Sequence, residues 1–170
     1  MHLKRENTAS EYLGYFDGAA RGNLGPAGTG CILVDPDGKI VWEHSEFIGY
    51  NTNNTAEYTT SLLRLLQKAL ELGISRLKIF GDSQLVVYQV LGDWKINQFH
   101  LQDLCYQVIA MLDRFDRWQL VWIPRKENAR ADKLSNQAFG AKPIKGSFTG
   151  EIQQMTENIF YCIRYRILCS

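Results

Sequence analysis

Tyr15-Phe16-Asp17-Gly18-Ala19-Ala20, followed by Gly25-Pro26-Ala27-Gly28 and the run Thr29 to Val34, is the stretch that decides the fold. Extended back to Glu11, its first part reads as a strand, the Gly/Pro segment as a turn, and Thr29 to Val34 as a second strand. Asp35-Pro36-Asp37-Gly38 makes a hairpin turn, after which Ile40-Val41-Trp42 and Phe47-Ile48 suggest a third strand and an antiparallel meander. Asp17 is out of place in such a strand, because its short polar side chain competes for backbone hydrogen bonds and gains little by packing. Either it sits at a bend or an exposed edge, or something compensates for it.

Helical periodicity takes over beyond the meander. Tyr58, Leu62, Leu65, Leu66, Ala69 and Leu70 recur at three- and four-residue steps, with Gly73 placed to stop the helix. Arg76 to Phe80 reads as a buried strand, Ser83 to Leu91 and Gln98 to Phe115 as helices, Gln119 to Ile123 as a last strand, and Asn128 to Phe139 as a last helix. The order βββαβααβα predicts an α/β fold: a mixed five-stranded sheet, three strands antiparallel and then parallel, flanked by helices. Residues 1–10 read as an N-terminal arm, 11–140 as the domain, and 141–170 as a linker and an accessory C-terminal tail rich in Ile, Phe and Tyr.

The 170 residues suit one domain, and 45% hydrophobic with 22% charged residues is a globular composition. A formal charge of +1 excludes a general basic field for capturing nucleic acid, so any phosphate contact must be local. No apolar run has membrane-spanning length and the N-terminus is polar, so no membrane partner and a cytoplasmic, soluble address are expected, with a monomer. Cys31, Cys105, Cys162 and Cys169 lack zinc-site spacing and are read as reduced thiols; a disulfide tying Cys162 or Cys169 to the body is the alternative.

Four acids invite a joint reading. Glu57 follows Asn54-Thr55-Ala56 as in a capping box, Asp82 precedes a helix start as an N-cap would, and Asp132 lies on a helix where a solvated acid is ordinary. Together with Asp17 they fall at strand ends and helix starts, which converge on one edge of an open α/β sheet. Clustered carboxylates repel and raise one another's pKa values unless cations intervene, and oxygen-only ligands suit Mg²⁺ or Mn²⁺.

These stretches resemble type 1 ribonucleases H. The likeness is carried by Tyr15 to Gly28, by Thr52-Asn53-Asn54-Thr55-Ala56-Glu57, by Gly81-Asp82-Ser83-Gln84 and by Asn128-Ala129-Arg130-Ala131-Asp132-Lys133-Leu134, and it spans Glu11 to Phe139. The resemblance implies that Asp17, Glu57, Asp82 and Asp132 hold two Mg²⁺ or Mn²⁺ ions when substrate is bound. It further implies hydrolysis of the RNA strand of RNA/DNA hybrids to 5′-phosphate and 3′-hydroxyl ends. Asn23, Asn53, Asn54 and Gln84 match the residues that sense the 2′-hydroxyl in the minor groove, and Thr52, Arg125 and Asn128 are candidate phosphate contacts.

Two features depart from many bacterial members. The loop Ile123-Pro124-Arg125-Lys126-Glu127 carries no His, and His2, His44 and His100 lie outside the motifs. The basic, Trp-containing handle is missing; Gly92-Asp93-Trp94-Lys95 stands in its place, with Trp94 expected in the core rather than as a remnant platform. This layout resembles archaeal and plant-like members, some of which tolerate double-stranded RNA. The alternatives are another nuclease on the same fold, or a catalytically weak hybrid-binding module derived from a reverse-transcribing element.

Overall fold

Alternation builds the sheet. In the computed structural model, which describes residues 10–22, 25–51 and 54–140 with the side chains of 51 and 54–57 excepted, Leu77 and Ile79 are fully buried while Arg76, Lys78 and Phe80 between them are half-covered. One face of this strand therefore meets a core and the other does not. The strands are β1 (Tyr12–Ala20), β2 (Gly25–Val34), β3 (Ile40–Asn51), β4 (Arg76–Gly81) and β5 (Arg117–Trp122). They lie in the order β3-β2-β1-β4-β5, antiparallel through the first three and parallel from β1 to β4 and β5.

The helices are α1 (Asn54–Glu71), α2 (Gln84–Val90), α3 (Phe99–Leu112) and α4 (Ala129–Gln137), with 3₁₀ turns at Arg125–Glu127 and Ala138–Gly140. On α1, Leu62, Leu65, Leu66 and Ala69 form one fully buried stripe. They pack with Phe16, Leu33, Leu77, Ile79, Val86, Val87, Val108 and Leu112 into the main core. Gly73 ends α1 at φ 72°, a left-handed geometry that costs other residues energy. The Ile74 amide then returns to the Ala69 carbonyl at 3.0 Å.

α4 covers the opposite face of the sheet and sits unusually close to β2. A Cβ added at Gly28 would lie 2.5 Å from Ala138 Cβ and 2.6 Å from the Ser135 carbonyl oxygen. One added at Gly30 would lie 2.5 Å from the Ser135 nitrogen and collide with the Ala131 carbonyl. Only hydrogen fits at either site, so the two glycines set the depth at which α4 lies.

Three sequence expectations change, and a fourth is extended. Gly25-Pro26-Ala27-Gly28 is strand, not turn: Ala20 pairs with Ala27, and the Arg21 amide donates to the Pro26 carbonyl at 3.0 Å, so the reversal falls earlier. The third strand runs through both expected pieces as one, and carries a bulge where Ala27 faces Gly49 and Gly28 faces Phe47. Ser83, not Asp82, caps α2, accepting from the Val86 amide. Trp94 is 45% exposed and packs on Tyr88 with ring centroids 5.2 Å apart, so it is not a core residue.

Cys31 and Cys105 are buried free thiols, while Cys162, Cys169 and the whole of 141–170 lie outside the described residues, as does nearly all of the N-terminal arm. Among the described residues no helix is long and apolar enough to cross a membrane.

Candidate active site

The parallel pairing of β1 and β4 brings two of the acids together. Phe16 is in register with Gly81, so Asp17 and Asp82, each one residue further along, leave adjacent strands side by side. Phe16 points into the core beneath Gly81, and Asp17 points the other way, toward α4. Asp17 is only 1% exposed. Its Oδ2 accepts a hydrogen bond from Ser135 Oγ at 2.5 Å, and the Tyr58 hydroxyl lies near enough to the same carboxylate to favour its charged form. Asp17 Oδ1 and Asp82 Oδ1 are buried and have no partner.

Burial, first, and then the charges of Asp82 and Asp132 push the Asp17 pKa from 3.8 up to about 7, against the lowering effect of the Ser135 and Tyr58 hydrogen bonds. Burial, first, and then the charges of Asp17 and Asp82 raise the Tyr58 hydroxyl well above its ordinary range and keep it a donor. The backbone here is braced: Asn128 Nδ2 donates to the Phe16 carbonyl at 3.0 Å and Trp122 Nε1 to the Asp82 carbonyl at 3.1 Å.

Asp132 lies in the first turn of α4. Arg125 Nε and Nη2 both donate to its Oδ1, at 3.0 and 2.5 Å, and this contact raises the guanidinium pKa further. The Arg125 side chain is 73% exposed, so the pair adds little stability. Glu57 is the fourth residue of α1 and Asn54 its first, but their side chains are outside the described set, as are Asn23, Thr52 and Asn53 altogether. Gln84 opens α2 and is exposed. Asn128, a candidate phosphate contact, is instead 1% exposed with its amide nitrogen committed to β1.

Among the described residues no three His, Cys, Asp or Glu side chains form a ready metal cage. The donor chemistry nonetheless fits hard cations, since unpartnered carboxylate oxygens buried on neighbouring strands require a positive partner. Ser135, Tyr58 and Trp122 are site residues that the sequence did not single out. Their partners lie 118, 41 and 40 residues away in the chain, and no local pattern encodes such contacts.

A pH dependence follows. Asp17 holds a proton in the folded state up to about pH 7, whereas the unfolded chain releases it near 3.8, so the folded state binds more protons between those values. Ion-free wild-type protein should therefore lose stability at this site as pH rises from about 4 to about 7. Urea denaturation with a chelator at pH 5 and pH 8 tests this against Asp17→Asn, which lacks the titration. Equal pH dependence in the two proteins would reject the assignment, and Mg²⁺ should restore wild-type stability at pH 8.

Residues 15–138 match the family described as "Reverse transcriptase-like". Ribonuclease HI of Halobacterium salinarum is 44% identical over 125 residues, covering 74% of this chain and 62% of that protein. The chain thus spans less than two thirds of that relative, and 34% of the mycobacterial proteins it also matches. A crystal structure of RNase H1 from Halobacterium salinarum superposes with a TM-score of 0.73 at 41% identity, covering 77% of this chain and 98% of that one. LC11-RNase H1 in complex with RNA/DNA hybrid superposes at 0.69 with 33% identity, covering 75% and 95%. By the family match over residues 15–138, the 44% identity to ribonuclease HI and the superposition on RNase H1 at a TM-score of 0.73, the chain belongs to the type 1 ribonuclease H family.

Proposed function

We propose that this chain is a divalent-ion-dependent endoribonuclease that hydrolyses the RNA strand of RNA/DNA hybrids, leaving 5′-phosphate and 3′-hydroxyl ends. The observation that carries the reading is the pair of buried, unpartnered carboxylate oxygens on Asp17 and Asp82. Asp17, Glu57, Asp82 and Asp132 would hold two Mg²⁺ or Mn²⁺ ions with substrate. When bound, such ions supply Lewis-acid activation of water and charge neutralisation at the leaving oxygen.

The chain's own groups prepare the rest. Ser135 orients Asp17, the nearby Tyr58 hydroxyl favours its charged form, and the Asn128 and Trp122 bonds brace the backbone beside Asp17 and at Asp82. Exposed Arg125 offers a fork of donors to a phosphate next to Asp132, and it cannot serve as a base at ordinary pH. Asn23, Asn53, Asn54 and Gln84 are assigned to the minor groove, where the 2′-hydroxyl separates RNA from DNA, and Thr52 to the backbone. The same contacts admit double-stranded RNA as a secondary substrate. The LC11-RNase H1 complex supports the hybrid as the principal partner. The enzyme is assigned as a cytoplasmic monomer.

The test is end-labelled hybrid, double-stranded RNA and DNA duplex, each incubated with Mg²⁺, Mn²⁺ or chelator. Ion-dependent cutting confined to RNA strands, fastest on the hybrid, is expected. Cutting of the DNA duplex would indicate another nuclease on this fold, and binding without cutting would indicate a hybrid-binding module.

A further inference from the structure

Ser135 stands between two of the acids. It is fully buried, and its Oγ lies 2.5 Å from Asp17 Oδ2 and 2.9 Å from the Asp132 carbonyl oxygen. A hydroxyl has one proton and cannot serve both acceptors at once. The carboxylate is the closer acceptor and, when charged, the stronger one, so the Ser135 proton goes to Asp17 Oδ2 whether or not the Asp132 carbonyl also receives the Asn136 amide.

We infer that Ser135 is a positioning residue for ion binding, fixing Asp17 so that Oδ2 is occupied and Oδ1 faces the ion. The inference rests on Asp17 being an ion ligand. The terminal torsion of Asp is broad and nearly two-fold, so an untethered carboxylate would exchange its two oxygens. A donor on Oδ2 removes that freedom, and the oxygen left over, Oδ1, is the buried one with no partner. The close seat of α4 serves the same contact: side chains at Gly28 or Gly30 would push Ser135 away from β1. Ser135 thereby ties the strand that carries Asp17 to the helical turn that carries Asp132.

Groups that orient metal ligands typically contribute 10- to 100-fold in metal affinity. Mn²⁺ binding to substrate-free protein, followed by the loss of the free-ion electron paramagnetic resonance signal, is measured for wild type, Ser135→Ala, Asn136→Ala and Asp17→Asn. Ser135→Ala is expected to weaken Mn²⁺ binding about 10-fold or more, and to raise the Mn²⁺ needed for half-maximal hybrid cleavage with little change in rate at saturating ion. Asn136→Ala removes a bond to the same carbonyl without touching Asp17, and should bind Mn²⁺ as wild type does. Equal weakening in both variants, or none in Ser135→Ala while Asp17→Asn binds poorly, overturns the inference and leaves the ligand reading standing. Wild-type binding by Asp17→Asn overturns both.

Discussion

Asp17→Asn should lower cleavage of a defined hybrid by at least about a thousand-fold, which corresponds to about 4 kcal/mol of barrier, while the protein stays folded. The asymmetry comes from burial. Asn is nearly isosteric with Asp, and its amide can still bond to Ser135 Oγ, so packing against α4 is preserved. The variant loses the charge that an ion needs, and it loses the penalty for burying that charge as well. With no ion present at pH 8 it should therefore melt at the same temperature as wild type or higher, because wild-type Asp17, with its pKa near 7, is charged there and poorly solvated. Single-turnover cleavage and a thermal melt with chelator decide the matter. Near-normal turnover would remove Asp17 from the chemistry, and a large drop in melting temperature would make it a structural residue.

Gly30→Ala is expected to be the most damaging single-methyl substitution at the site. The added carbon meets the Ala131 carbonyl and the Ser135 nitrogen, both backbone atoms that no rotamer change can move aside. Overpacking of this kind costs about 3 kcal/mol, and for a domain of this size the melting temperature should fall on the order of 10 °C. α4 must also lift from the sheet, taking Asp132 and Ser135 with it, so hybrid cleavage should fall more than stability alone accounts for. Gly140→Ala is the control, because nothing lies within 4 Å of a Cβ there. A Gly30→Ala protein that melts like the control would show that the helix is free to shift.

Much of this architecture is legible before any coordinates. Alternation in Arg76 to Phe80 and the i, i+3, i+4 stripe of α1 are local signals, and they assign one strand and one helix correctly. The order of strands and helices then limits the topology to a mixed sheet. Gly25 to Gly28 was misread because Gly and Pro usually mark turns. Here the glycine at 28 answers to a helix more than a hundred residues downstream, which no window along the chain can sense. Trp94 was misplaced for the opposite reason: a large aromatic suggests burial, yet a short turn after α2 leaves it on the surface against Tyr88.

The acids divide in the same way. Each had a commonplace local explanation, and only the one-residue offset of Asp17 and Asp82 past the Phe16–Gly81 pair makes Asp17 and Asp82 neighbours. The Asp82 cap reading failed because Ser83, one residue later, already supplies the cap. Asn128 is a candidate phosphate contact by resemblance, but its side chain is buried and its amide nitrogen braces β1.

Phe16 and Asp17 are consecutive residues that look in opposite directions, one into the apolar interior beneath Gly81 and one toward the carboxylate cluster. A single peptide unit is thus a lever with an arm on each side of the sheet. Repacking on the hidden side, by substitution at Phe16 or by any group larger than hydrogen at Gly81, would tilt the reactive side by the same rotation. Variants selected only for a better-filled interior would then alter turnover without touching a polar atom.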